Sequence, residues 1–185
     1  VTASSGTTAR TKVTMDFGKI SNLKYHDGTN QTLADFVFQF IYTFDRGDPA
    51  SPVYDSAYVP TLTAFKKDFK GFKITSADPL IIDFYSDVIY LDAEYIVQAA
   101  ADTFDPEMGQ GGSPWHMLAI GWLAESKNLV AFGAKKAETL GVEWMSYIAG
   151  PSVTTLREQL DAALAASPVF IPYRSVMATY LTDAE

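Results

Sequence analysis

The chain has 185 residues, enough for one domain with a sizeable core. Hydrophobic residues make up 48% and aromatics 14%, which excludes a disordered chain and predicts a packed globular unit. With 14 basic against 22 acidic residues the net charge is -8, and such a surface repels phosphate backbones and anionic headgroups, arguing against nucleic-acid or membrane-surface binding.

In chain order, residues 1–11 are small and polar and predict a flexible arm. Val13, Met15 and Phe17 alternate with Lys12, Thr14 and Asp16, the two-residue period of a strand over 12–17. Tyr25 to Asn30 is a turn-rich connection in which Asp27-Gly28 calls for positive φ at the glycine. Thr32 then reads as a helix N-cap, with Asp35 as the acidic partner of a capping box. The helix over 32–45 carries one apolar stripe, Leu33, Phe36, Val37, Phe40, Ile41 and Phe44. Phe38 and Tyr42 widen it, so this helix is expected to be covered on more than one side, and Gly47 and Pro49 stop it.

Residues 48–60 hold Pro49, Pro52 and Pro60 and read as a loop, followed by a short helix over 61–69. Segments 71–75 and 80–86 form a predicted hairpin around Asp78-Pro79. Together with 12–17 they are expected to share one sheet, on which the 32–45 helix packs. A helix is expected over 90–101, and the glycine-rich stretch 102–114 reads as a flexible joint. Three helical segments follow: 114–128, 130–147 with interruption at Gly133 and Gly141, and 155–166. The last opens on a Thr155–Glu158 capping box and bears a row of Leu156, Leu160 and Leu164. The fold class expected is α/β, a mixed sheet with flanking helices, and residues 12–185 read as a single lobe or internal fragment.

Few residues offer chemistry. There is no cysteine, which removes disulfide frameworks, thiolate zinc sites and cysteine nucleophiles. His26 and His116 lie ninety residues apart; His26-Asp27 is the only local hint of a metal pair and lacks the further ligands a site needs. Ser113 follows Gly112 without the Gly-x-Ser-x-Gly elbow, and Gly109-Gln110-Gly111-Gly112 lacks the lysine of a phosphate loop. Asp102 with Asp105, and Asp83 with Asp87, are spacings that an acidic surface supplies by chance. Trp115 and Trp122 sit seven apart on one helical face, the spacing of core residues; ligand contact is the alternative for these and for Trp144. No catalytic residue, ligand-binding residue, metal site or cofactor is assigned, and the chain reads as a non-enzyme.

The longest apolar run, Trp115 to Ala124, is half of what a membrane span needs. The opening Val1 to Gly6 lacks the basic start and apolar stretch of a signal peptide, so a mature chain or internal fragment is expected.

The segment Lys24 to Phe38 resembles a signature of the family 5 extracellular solute-binding proteins, the peptide- and nickel-binding group. Asp27-Gly28-Thr29, Thr32, Ala34-Asp35 and Val37 fall in its register, while Asn30 stands where the pattern has proline. Phe69 to Ile74 and Asp78 to Ile82 are similar to the hairpin that follows in that family, and the likeness is carried by residues 12–100. Members are two-lobed α/β proteins that close over a ligand and deliver it to a membrane permease. The resemblance implies an extracytoplasmic component of an ABC importer for peptides or similar solutes, completed by the remainder of a parent chain. A surface protein-interaction module that has kept the fold is the alternative, which an exposed apolar patch would favour.

Overall fold

The computed structural model describes residues 6–101, 114–166 and 168–180. Strand β1 (Thr11–Gly18), helix α1 (Leu33–Asp45), helix α2 (Val59–Asp68), strands β2 (Phe69–Ala77) and β3 (Leu80–Ser86), and helix α3 (Ala93–Ala101) form the first half. The second half contains α4 (Trp115–Ser126), β4 (Val130–Ala131), α5 (Ala134–Leu140), β5 (Glu143–Trp144), α6 (Pro151–Ala165) and α7 (Arg174–Met177). The architecture is mixed α/β, with a small sheet and flanking helices.

The three expected strands do share one sheet, ordered β1-β3-β2 and antiparallel throughout. Val13 and Phe72 flank Phe84, and Met15 and Ile74 flank Ile82, so the alternation in sequence becomes one apolar face. Register shifts fall between Asp16 and Gly18 on β1, and at Phe69/Gly71 and Ile74/Ser76 on β2. The opposite face is polar: Asp83 of β3 accepts from Thr14 Oγ1 at 2.7 Å and Lys12 Nζ at 3.0 Å.

Helix α1 is the central element. Phe36 and Phe40 pack on the sheet with Leu80, Ile82 and Phe84. Ala34, Val37, Phe38 and Tyr42 pack the other way, on Trp115, Leu118 and Ala119 of α4 and on Met177 of α7. Two-sided cover explains why its apolar stripe is wider than one face requires. A third, smaller cluster of Ala124, Val130 and Leu156, with Met145 and Tyr147 beside it, seats α6 against α4.

Several boundaries differ from the sequence reading. Helix α2 starts two residues earlier, with Pro60 in its first turn, where a missing N–H costs nothing. Helix α3 starts at Ala93, where the Asp92 carboxylate accepts the Glu94 N–H at 3.0 Å. The helix expected over 130–147 is instead a short parallel ribbon, β4 with β5, closed by α5. Both glycines named as interruptions bound α5: Gly133 precedes it, and Gly141 ends it with φ 67. This ribbon holds the parallel pairing; the main sheet, expected to be mixed, has none. The predicted 155–166 helix begins at Pro151, so Thr155 and Glu158 lie inside α6 and cap nothing. Of its leucine row, Leu156 is 6% exposed, whereas Leu160 is 37% and Leu164 61% exposed.

Residues 6–10 lie largely at the surface, and the Arg10 N–H donates to the Ser86 carbonyl at 3.1 Å. The expected joint at 102–114 lies outside the described residues except for Pro114, which precedes α4. Among the described residues, no helix is long and apolar enough to cross a membrane.

Candidate functional site

The signature segment folds as a latch. Lys24 and Asn30 pair across the turn, and Gly28, at φ 88, donates its N–H to Tyr25 O at 3.0 Å. Asp27 Oδ1 accepts the Thr29 hydroxyl at 2.7 Å and the Thr29 N–H at 2.9 Å, which holds its carboxyl below the usual carboxylate range. Thr32 caps α1 as expected, and its N–H donates to Asp35 Oδ2 at 2.7 Å. Asp35 has a second role that spacing does not show: its Oδ1 accepts the Trp115 N–H of α4 at 2.8 Å. One buried carboxylate thereby serves the first turns of two helices eighty residues apart. Burial pushes its pKa up, and those backbone donors and the charge of His116 oppose the rise.

A second polar cluster occupies the interior at the other end of α1. Glu125 of α4 is fully buried; it accepts the Tyr42 hydroxyl at 3.0 Å and the Phe132 N–H at 3.2 Å, and pairs with Lys136 Nζ of α5 at 3.3 Å. Beside it, Arg46 and Asp55 form a buried ion pair at 3.0 Å, with the guanidinium 4.5 Å from the Tyr58 ring centroid. Gly133 lies against this pair, so close that a Cβ there would come within 2.4 Å of Asp55 Oδ2. Desolvation raises the Tyr42 and Tyr147 hydroxyls well above their ordinary values, so both stay protonated donors. Tyr147 reaches out to the Met117 carbonyl at 3.0 Å.

The third constellation ties the C-terminal segment down. Asp45, at the end of α1, accepts Trp122 Nε1–H at 3.1 Å and, very closely, the Tyr173 hydroxyl. The Trp122 ring stacks with Phe170 at 6.0 Å, and Tyr173 packs on Phe38 at 5.3 Å. Burial, followed by the Asp45 hydrogen bond, drives the Tyr173 pKa far up.

Of the residues singled out in sequence, Trp115 is buried in the α1–α4 cluster, as core spacing predicts, and Trp122 packs beside it. Trp144 is 65% exposed, although its Nε1–H donates to the Phe132 carbonyl at 3.0 Å. His26 is exposed, whereas His116 is half-buried with its ring edge on Trp115. Asp83 and Asp87 do not act as a pair, since each holds its own cation, Lys12 and Lys70, both at 3.0 Å. Asp102, Asp105, Ser113 and the Gly109 to Gly112 run lie outside the described residues. Among the described residues no group of three His, Cys, Asp or Glu is placed to hold a metal.

Asp45, Arg46, Asp55 and Glu125 were not singled out by spacing. Only Glu125 carries a sequence signal, a carboxylate directly after the apolar run Trp115 to Ala124, which implies a buried partner; Asp45, Arg46 and Asp55 stand in polar, turn-rich surroundings and carry none. Chemically the three constellations hold helices together: Asp35 is engaged by backbone N–H groups, Asp45 by Trp122 and Tyr173, and only Arg46 with Asp55 and Lys136 with Glu125 join opposite charges. A narrow crevice lined by Leu33, Phe36, Val37, Phe72, Ile74 and Ile82 is wholly apolar and has no room for a water molecule. No family model matches the chain, and no curated protein matches it either.

Proposed function

We propose that this chain is part of the ligand-capturing component of an ABC importer, an extracytoplasmic receptor of the family 5 solute-binding type. It would form one lobe of a two-lobed type II architecture, take peptides or similar small solutes, and pass them to a membrane permease. The remainder of the parent chain would supply the second lobe. One observation carries the reading: the residues that match the family signature each have a definite local task. Asp27 and Thr29 close the turn, Thr32 and Asp35 cap the helix, and Ala34 and Val37 are buried on it. The substrate-facing residues are not assigned, because the motif encodes a turn and a capped helix and carries no ligand-contacting group.

The test is calorimetry with a peptide library on this chain and on a longer parent chain. Ligands of such receptors are enclosed between lobes, and closure supplies most of the buried contact. The chain alone is expected to bind weakly or not at all, and the two-lobed parent tightly. Tight binding by the chain alone would overturn the single-lobe reading. A protein-interaction module on the same fold is the second reading, favoured by the exposed apolar residues around α3.

A further inference from the structure

We infer that residues 89–97, the connection into α3 and its first turn, form a docking ledge for a cationic, apolar protein surface. This deepens the interaction reading and stands apart from solute capture. Helix α3 reads Ala-Glu-Tyr-Ile-Val-Gln-Ala-Ala-Ala, with Glu94 as its one charged residue. A helix this apolar belongs in an interior. Here only Ala100 is buried, against the sheet cluster.

Ile89, Tyr90, Leu91, Tyr95 and Val97 all face solvent, and Leu91 is fully extended into it, at 110% of the reference exposure. The rings of Tyr90 and Tyr95 meet edge to face at 5.9 Å, which joins connection and helix into one platform. These side chains together present on the order of several hundred Å² of apolar surface, the size that marks an interaction site. Tyrosines suit such a site because they offer large contact area with few rotamers to fix.

Charge selects the occupant. Asp92 and Glu94 are exposed on the ledge itself, and residues 89–97 contain no lysine or arginine. The two cations at the end of β3 are both gathered at Asp87: Lys70 pairs with it at 3.0 Å, and Arg10, whose N–H donates to it at 3.1 Å, lowers its pKa through its charge. A second copy of this chain would bring the same carboxylates face to face, and anionic lipid would be repelled in the same way. An amphipathic segment with an apolar centre and a lysine or arginine rim matches both the apolar area and the field.

The test uses a leucine–lysine amphipathic helical peptide as probe, with a leucine–glutamate peptide of the same pattern as control. Both are titrated by calorimetry into the chain at low and at high salt. The lysine peptide is expected to bind at least tenfold more tightly than the glutamate peptide, and more weakly as salt rises. Leu91→Ser combined with Tyr95→Ser is expected to weaken that binding at least tenfold. Asp92→Asn with Glu94→Lys is expected to reduce the preference for the lysine peptide. Asp92→Asn keeps the oxygen that accepts the Glu94 N–H and the other side chains are exposed, so far-ultraviolet circular dichroism is expected to stay unchanged in every variant. Equal binding of both peptides, no binding of either, or a lysine-peptide affinity untouched by Leu91→Ser/Tyr95→Ser overturns the proposal. So does a concentration-dependent dimer, seen by light scattering, that Leu91→Ser abolishes. None of these outcomes bears on solute binding by the parent chain, which the preceding calorimetry reads separately.

Discussion

Removing the Asp35 carboxylate is expected to loosen two helix starts at once. The side chain is 2% exposed and accepts the Thr32 N–H at 2.7 Å and the Trp115 N–H at 2.8 Å. A hydrogen bond to a charged group contributes about 1.5–3 kcal/mol, and a donor left buried without a partner costs about as much as the bond. Against this stands the cost of burying the carboxylate, visible as its raised pKa, which the substitution relieves. The net expectation for Asp35→Ala is a loss of about 2–4 kcal/mol, with Asp35→Asn, which keeps one acceptor oxygen, losing roughly half as much. At an m-value of about 2 kcal/mol/M, the urea midpoint of Asp35→Ala falls by about 1–2 M. Because the folded pKa lies above the unfolded value of about 3.9, protonating Asp35 favours the folded state. That contribution is complete below the unfolded pKa and is lost as pH rises through the folded one. The deficit of Asp35→Asn relative to the parent should therefore widen as pH is lowered through about 4. A midpoint shift for Asp35→Ala too small to measure, or an equal loss for both variants, would refute the shared-cap account.

Breaking the buried Arg46–Asp55 pair with Asp55→Asn should cost about 3–5 kcal/mol, because the guanidinium is left uncompensated, and calorimetry should show Tm lower by roughly 10 °C. On α6, Leu156→Ala should cost about 2–5 kcal/mol in urea unfolding, whereas Leu164→Ala should change stability by less than about 0.5 kcal/mol. Asp27, Asp83 and Asp87 are each held below the usual carboxylate pKa, first by side-chain hydrogen bonds from Thr29, Thr14 and Lys70 respectively. Their stabilisation is present above the unfolded pKa of about 3.9 and is lost as pH falls through their folded values. An acid titration followed by circular dichroism is expected to show this loss, and Thr14→Val should displace the Asp83 share of it toward higher pH.

What the sequence disclosed was local and periodic. The β1 alternation, the hairpin around Asp78-Pro79 and the capped stripe of α1 each follow from neighbours within a few residues, and each is present. The 130–147 region misled because its apolar and alanine-rich composition suits a helix. The β4–β5 pairing sets Val130 beside Glu143 and Ala131 beside Trp144 across the whole of α5, with Met145 N–H donating to Ala131 O and Phe132 N–H to Glu125, contacts that no single helical or strand period marks. At α6 two start signals competed, and Gly150-Pro151 won over Thr155–Glu158. Proline at the first helical position fixes φ, and the helix that starts there buries Ser152 and Leu156. The polar clusters were out of reach for a different reason. Tyr42 and Glu125 are 83 residues apart and Asp45 and Tyr173 are 128 apart, so no spacing rule connects them. The ledge at 89–97 was legible as composition only, since an apolar helix looks the same in sequence whether or not something covers it.

Among the described residues, the strand order β1-β3-β2 leaves both β1 and β2 with one unpaired side, an open template on which another extended chain could add itself. The charges and irregularities of these strands act against that. Lys12 and Asp16 stand along β1, and Lys70 and Lys73 along β2, so a strand arriving at either border must bury or displace a hydrated charge. The register shifts near Gly18, Gly71 and Ser76 bend the borders further from the flat geometry that fibril growth requires. Replacing Lys70 and Lys73 together by valine would leave the apolar face unaltered and remove that guard. The outcome to look for is thioflavin-positive aggregation of a chain whose native fold is unchanged.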